Sequence, residues 1–123
     1  MSWDWALIVM TVFVIISMFF ILLGSIGLHR FPDVFTRLHA ATKATTFGSI
    51  FLALAVIIFA VYRMIEGDPM NVGSYITLAS HTFLALVALL LTNPTGAHAI
   101  ARAARRTGVE PEQAVIDEFE EVD

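Results

Sequence analysis

The sequence has no cysteine, which excludes a disulfide framework, a thiolate metal site and a cysteine nucleophile. Charge is scarce: only 15% of the 123 residues are Asp, Glu, Lys or Arg, against about 25% in an ordinary soluble domain. What charge there is lies unevenly. Seven of the eleven acids fall between Glu110 and Asp123, so the rest of the chain holds four acids and all seven Lys and Arg residues. That mild excess is far from the basic footprint of a nucleic-acid binder, and no nucleic-acid partner is expected. Motifs of chemistry are also missing. The chain has no HExxH, no phosphate-binding glycine loop, no supported Ser/His/Asp arrangement and no carboxylate pair suited to a pocket, so no catalytic residue, cofactor or metal site is assigned and an enzyme reading has no support.

What is present is apolar surface. Apolar residues make up 58% of the chain and the mean hydropathy is +0.80. Three blocks lack Asp, Glu, Lys and Arg: 5–28, 44–62 and 74–92, the last carrying His81. Each is close to the roughly 20 residues a helix needs to cross about 30 Å of hydrocarbon. The expected fold is an all-α membrane protein of three transmembrane helices in one unit, 1–108, followed by an acidic tail, 109–123, whose composition suits disorder. The first block is too long, and its start Met-Ser-Trp-Asp-Trp too poor in base, for a cleaved secretory leader.

Orientation follows from Lys and Arg. Arg30, Arg37, Lys43, Arg102, Arg105 and Arg106 fall on one side of a three-span chain and only Arg63 on the other. The positive-inside rule then sets the N-terminus outside and the C-terminus in the cytoplasm. Trp3, Trp5, Tyr62 and Tyr75 all gather at the outer interface, the depth that amphipathic rings prefer.

The most informative stretch is the cytoplasmic segment 29–43 and its run into the second span. Pro32 suits a first helical turn, and a helix starting there could pass directly into the second span. At 100° per residue Asp33, Thr36, Arg37, His39, Ala40 and Lys43 share an arc of about 160°, with Val34, Phe35, Leu38, Ala41 and Thr42 opposite. Asp33 and Arg37 form an i,i+4 pair with the acid on the N-terminal side. Two readings stay open: a solvated entry helix whose bases reach lipid phosphates, or a wet entrance for a cation or proton in which His39 titrates near neutral pH.

Small and polar residues mark faces for helix contact in lipid. In the third span Ser74, Thr77, His81, Ala85, Ala88 and Thr92 lie within about 80° of arc. The second span carries Ala44-xxx-Gly48 and Ser49-xxx-Ala53, and Gly24, Ser25 and Gly27 thin one end of the first. Gly48, Ser49, Ala53, Ser74, Thr77, His81, Ala85 and Ala88 are therefore the packing candidates. His81 should face protein or water, because an unpartnered imidazole in hydrocarbon costs several kcal/mol. A complete proton path needs several titratable groups in series, and the spans hold no Asp, Glu or Lys. Asn93-Pro94 reads as N-cap and first residue of a short interfacial helix, 94–107, lying along the inner headgroups.

One pattern goes further: Gly24-x-x-Gly27-x-x-Arg30-x-Pro32-Asp33-x-Phe35-x-Arg37-x-His39-Ala40-x-x-Lys43-x-x-Thr46-x-Gly48, with Asn93-Pro94 and Ala97-His98-Ala99-Ile100-Ala101-Arg102. It resembles the G subunit of the Mrp-type (Mnh/Pha) multisubunit sodium/proton antiporters over residues 5–106. The resemblance implies an accessory multi-pass subunit of the bacterial inner membrane, assembled with the other antiporter subunits and surrounded by lipid. It is needed for assembly and is a candidate for part of the cation path; it is not a transporter alone. The exchange expels Na+, with K+ or Li+ as further cargoes, against entering H+, and serves pH homeostasis. Arg30, Pro32, Asp33, Arg37, His39, Lys43 and Thr46 carry over as motif and ion-path candidates. Two rival readings are a self-oligomerising channel or carrier lined by the His81 face, and a membrane adaptor that recruits a partner through the acidic tail.

Overall fold

The computed structural model describes residues 3–67 and 71–109, with backbone only at Trp3 and Asp4. The acidic tail from residue 110 lies outside them. Three helices account for nearly all of the described chain: α1 (Trp3–Arg30), α2 (Val34–Ile65) and α3 (Val72–Arg106). Each is long and apolar enough to cross a membrane. At 28, 32 and 35 residues they measure roughly 42, 48 and 52 Å, so all outreach a hydrocarbon layer of about 30 Å.

The helices form one flat layer with α2 in the middle. α1 and α3 each pack on α2, and among the described residues they do not meet. The reason lies on α2. Ala44, Gly48, Ala55 and Tyr62, all buried, fall on one stripe, while Ser49, Ala53 and Ala60 fall on another, turned about 140° away at 100° per residue. The first stripe receives α1. There the buried and half-buried residues Ala6, Met10, Phe13, Ser17, Phe20, Gly24 and Gly27, flanked by half-buried Val9 and Ile16, include a row that alternates steps of four and three, the spacing of knobs-into-holes packing. The two helices run antiparallel: Trp5 sits edge-on to Tyr62, Phe13 meets Phe51, and Phe20 stacks on Phe47 and Phe51. Ser17 Oγ donates to the Gly48 carbonyl at 2.7 Å, which ties the pair at mid-depth.

Close approach at one end explains the glycines. A Cβ added at Gly24 would overlap that of Ala44, one at Gly27 would come 2.9 Å from Ala40 Cβ, and one at Gly48 would come 2.7 Å from Ile21 Cγ1. Hence Gly48 and Ala53, read from sequence as packing positions, are used within the chain.

α3 differs from its sequence-based description. It does not restart at Asn93. The helix is continuous from Val72 to Arg106 with Pro94 inside it, so no separate interfacial helix 94–107 exists. Asn93 is helical and its Nδ2 donates across to Thr45 Oγ1 at 3.4 Å, which leaves it no capping role. Pro94 removes only the bond to the Leu90 carbonyl, a loss that membrane helices tolerate when neighbouring groups keep the backbone in place. The real end is a left-handed glycine cap: Gly108 has φ +80°, its N–H reaches the Arg105 carbonyl at 3.0 Å and that of Val109 reaches Ala104 at 3.1 Å.

Little of this is a core in the soluble sense. The buried side chains are mostly alanines, and α3 contributes none. Large apolar side chains such as Leu91 and Leu84 point outward, as a lipid-solvated surface requires. Gly24→Val should overpack the α1–α2 seam and cost about 1–3 kcal/mol, read as a lower unfolding temperature in detergent. Gly73→Ala and Gly96→Ala, where an added Cβ meets nothing within 4 Å, should not lower it, since Ala is the better helix former.

Candidate functional site

The site grows from the turn between α1 and α2. α1 ends at Arg30, with basic His29 and Arg30 in its last turn, where cations complement the helix dipole. The chain reverses over Phe31, Pro32 and Asp33. Asp33 has extended backbone (φ −105°, ψ 142°), and its carboxylate accepts from the Phe35 N–H at 3.1 Å. It is therefore the N-cap of α2. Pro32 consequently stands before the cap, not in the first turn.

The expected Asp33–Arg37 ion pair is not formed. Arg37 Nε donates instead to the Phe31 carbonyl at 2.6 Å, bridging the turn from the other side. The physical reason is local: as N-cap, Asp33 lies outside the helical spiral and directs its side chain at the N–H groups of the first turn, so it is not one helical turn above Arg37. Both charged groups thus hold the reversal, and Asp33 is buried in doing so.

The polar arc does become a surface feature. Asp33, Thr36, His39, Ala40 and Lys43, with the rings of Phe31 and Phe35, line a groove of about 560 Å³. His39 and Lys43 are exposed there, and Arg30 is exposed at the end of α1. Thr46 is half-buried one turn deeper and its carbonyl accepts from Ser49 Oγ. The opposite, apolar arc faces α3: Phe35, Leu38 and Thr42, with His39 at the edge, line a second groove with Pro94, Ala97, His98 and Ala101. Phe35 and His39 border both. His98 belongs to the site although sequence reasoning left it out of the candidates; its place one turn past Pro94, on the side of Ala97 and Ala101, was the available signal. Its Nε2 lies 2.9 Å from Arg102 Nη2, and since a guanidinium only donates, that nitrogen accepts.

The polar face of α3 lies elsewhere. Its half-buried residues, among them Val72, Tyr75, Ala79, Thr82, Leu86, Asn93 and Ala97, form the side that meets α2. Tyr75 accepts a hydrogen bond from Arg63 Nε at 3.1 Å and packs edge-on to Phe59. Ser74, Thr77, His81, Ala85 and Ala88 are turned about 140° from that side and are all exposed. The His81 ring has no hydrogen-bond partner among the described residues.

Among the described residues no cluster of three metal-ligating side chains occurs. At its α1–α2 end the arrangement offers polar recesses and a capped, rigid turn.

The chain matches, over residues 13–105, a family described as Na+/H+ antiporter subunit. It is 57% identical over 105 residues to a UPF0091 protein of Pyrococcus horikoshii, spanning 85% of this chain and 84% of that protein. It is 38% identical over 102 residues to the G subunit of the Na(+)/H(+) antiporter of Alkalihalophilus pseudofirmus, spanning 83% and 76%. Among solved structures it resembles a chain of the membrane-bound sulfane sulfur reductase, an archaeal respiratory membrane complex, with 32% identity, a TM-score of 0.72, and coverage of 93% of this chain and 95% of that one.

Removing the cap should expose the role of Asp33. Asp33→Ala should cost about 1 kcal/mol, seen as a lower melting temperature in detergent, and Asp33→Asn should restore most of it. Failure of Asn to restore would mean that the negative charge itself is required.

Proposed function

The chain belongs to the Na+/H+ antiporter subunit family, and from that premise we propose how it serves: as a scaffold that joins its partners through α3 and holds a polar turn at the cytoplasmic surface. It is an accessory, multi-pass membrane subunit that works in a hetero-oligomer with other subunits. A transport role of this kind leaves chemistry on bonds to no residue here, and so the chain acts as a transporter subunit and not as an enzyme.

The observation that carries the scaffold reading is the exposed polar side of α3. In hydrocarbon an unpaired imidazole costs several kcal/mol, while small residues let another backbone approach. Ser74, Thr77, His81, Ala85 and Ala88 combine both properties and are covered by none of the described residues. A helix from a partner subunit, offering a hydrogen-bonding group to His81, satisfies both. Ser49 lies on the α3-facing stripe of α2 and serves contacts inside the chain.

For orientation, the six bases on the side of the 31–33 turn against Arg63 alone support an N-terminus outside and a C-terminus inside. On that placement Arg30, Pro32, Asp33, Arg37 and His39 sit at the inner surface with Lys43 and Thr46 one and two turns deeper, and the groove of His39 and Lys43 opens outward to water and to a passing Na+ or H+. Within this chain the spans hold no series of titratable groups, so ion transfer belongs to the assembled complex.

A second host is favoured by one finding, the 0.72 TM-score to a chain of a respiratory membrane complex: the same scaffold can join an exchange unit to other subunits. Identifying the proteins that co-purify separates the two.

Ala85→Leu with Ala88→Leu should abolish co-purification with the partner subunits while the isolated chain melts at an unchanged temperature. Retained co-purification would remove α3 as the joining face. Because the chain has no cysteine, a single cysteine in place of Thr36 reports orientation: a membrane-impermeant maleimide should label it in inside-out vesicles only.

A further inference from the structure

The two grooves on the α3 side of Phe35 are one feature. Phe35, His98, Arg102, Arg105 and Arg106 bound the first, of about 580 Å³. The second shares Phe35, His98 and Ala101 with it and continues between α2 and α3 past Leu38 and Ala97 to Thr42 and Pro94. The joined cleft therefore has a cationic end with three guanidiniums and a mostly apolar end walled by Leu38, Ala97 and Pro94, with His39 at its rim. Among the described residues no acid lines either part.

Its depth follows from helix register. Residues facing each other across α1 and α2, such as Phe20 with Phe47 and Gly27 with Ala40, set the middle of block 5–28 level with Gly48–Phe51. The pairing of Thr45 with Asn93 carries that level to about residue 88 of α3. A half-layer of about 15 Å is ten residues of helix, which places the hydrocarbon edge near residue 40 of α2 and residue 98 of α3. Phe35 and Arg102 lie about four to five residues further, roughly 6–7 Å, inside a headgroup layer about 5–8 Å thick. The apolar end, at Thr42 and Pro94, lies on the hydrocarbon side.

We propose that this cleft holds one anionic phospholipid, its phosphodiester between Arg102 and Arg106 and its glycerol and upper acyl carbons along Leu38, Ala97 and Pro94. Planar guanidiniums match phosphate oxygens in pairs. His98, accepting from Arg102, fixes the direction of that guanidinium, while Phe35 and His39 form the rim shared with the polar groove of Lys43. A soluble phosphate would use the cationic end alone; the continuous apolar end selects a lipid. The site rests on the transmembrane placement of the helices and not on the antiporter reading.

The test uses the assembled complex in nanodiscs of equal parts phosphatidylglycerol and phosphatidylcholine, with retained lipids counted by native mass spectrometry. Arg102→Gln with Arg106→Gln should retain one phosphatidylglycerol fewer per copy of the chain and the same phosphatidylcholine. Equal phosphatidylglycerol retention overturns the proposal. Inorganic phosphate added to the parent should displace no lipid; displacement would assign the arginines to a soluble phosphate and also overturn it. Should the double variant fail to assemble, Phe35→Trp in the otherwise unaltered complex gives an independent reading. Its added emission should be quenched more by phosphatidylglycerol with brominated acyl chains than by brominated phosphatidylcholine at the same mole fraction, and equal quenching overturns the site. Loss of antiport in any variant with lipid retention unchanged would speak to the antiporter reading and count against this one.

Discussion

Lipid gives two apolar helices no reason to leave it for each other, so every contact in this chain depends on how closely backbones can approach. The seam of Gly24, Gly27, Ala40, Ala44 and Gly48 provides that approach between α1 and α2, with the Ser17 hydroxyl bonded to the Gly48 carbonyl at its mid-depth end. A second small stripe on α2, about 140° around the helix, does the same for α3. Two stripes set so far apart produce a layer, not a bundle, since α1 and α3 cannot reach each other past α2. A layer leaves broad surfaces. On most of α3 that surface is leucine, isoleucine and phenylalanine and suits acyl chains, but one side carries an imidazole, hydroxyls and alanines. The incompleteness of the chain as a membrane object follows from the spacing of small residues on a single helix.

The reversal between α1 and α2 shows charged residues doing structural tasks where a transport motif was anticipated. Asp33 caps α2 and Arg37 spans to the Phe31 carbonyl. The turn is held from both sides, and the exposed residues His39 and Lys43 are displayed from the helix that it starts. α2 and α3 run on past the hydrocarbon edge side by side, so the cationic end of α3 and the polar first turns of α2 are held at one depth. Phe35 stands between them.

Several features were legible in sequence because they depend on one-dimensional patterns. Uncharged runs gave the three spans, since burying a charge in lipid is costly wherever it falls. The Pro32-Asp33 pair announced a helix start, and the start is found at Val34. The acidic end was visible as composition, although its residues lie outside those described. Other features depend on which of two bonds wins locally. Asp33 could pair with Arg37 or cap the helix, and only the extended backbone at Asp33 decides for the cap. Asn93-Pro94 has the letters of a helix start, but Asn93 bonds across to Thr45, and contact with α2 keeps α3 continuous where an isolated peptide would break. Likewise, equal-looking stripes of small residues divided into an inner pair on α2 and an outer one on α3, a distinction that requires knowing where the third helix lies.

The claim on which the account depends is that the His81 side of α3 faces another protein within the membrane. A photoreactive amino acid placed at position 81, and separately at position 83 on the opposite side, tests it inside intact cells. Position 81 should crosslink to a partner subunit and position 83 to lipid alone; crosslinking to protein from 83 and only to lipid from 81 would contradict the account.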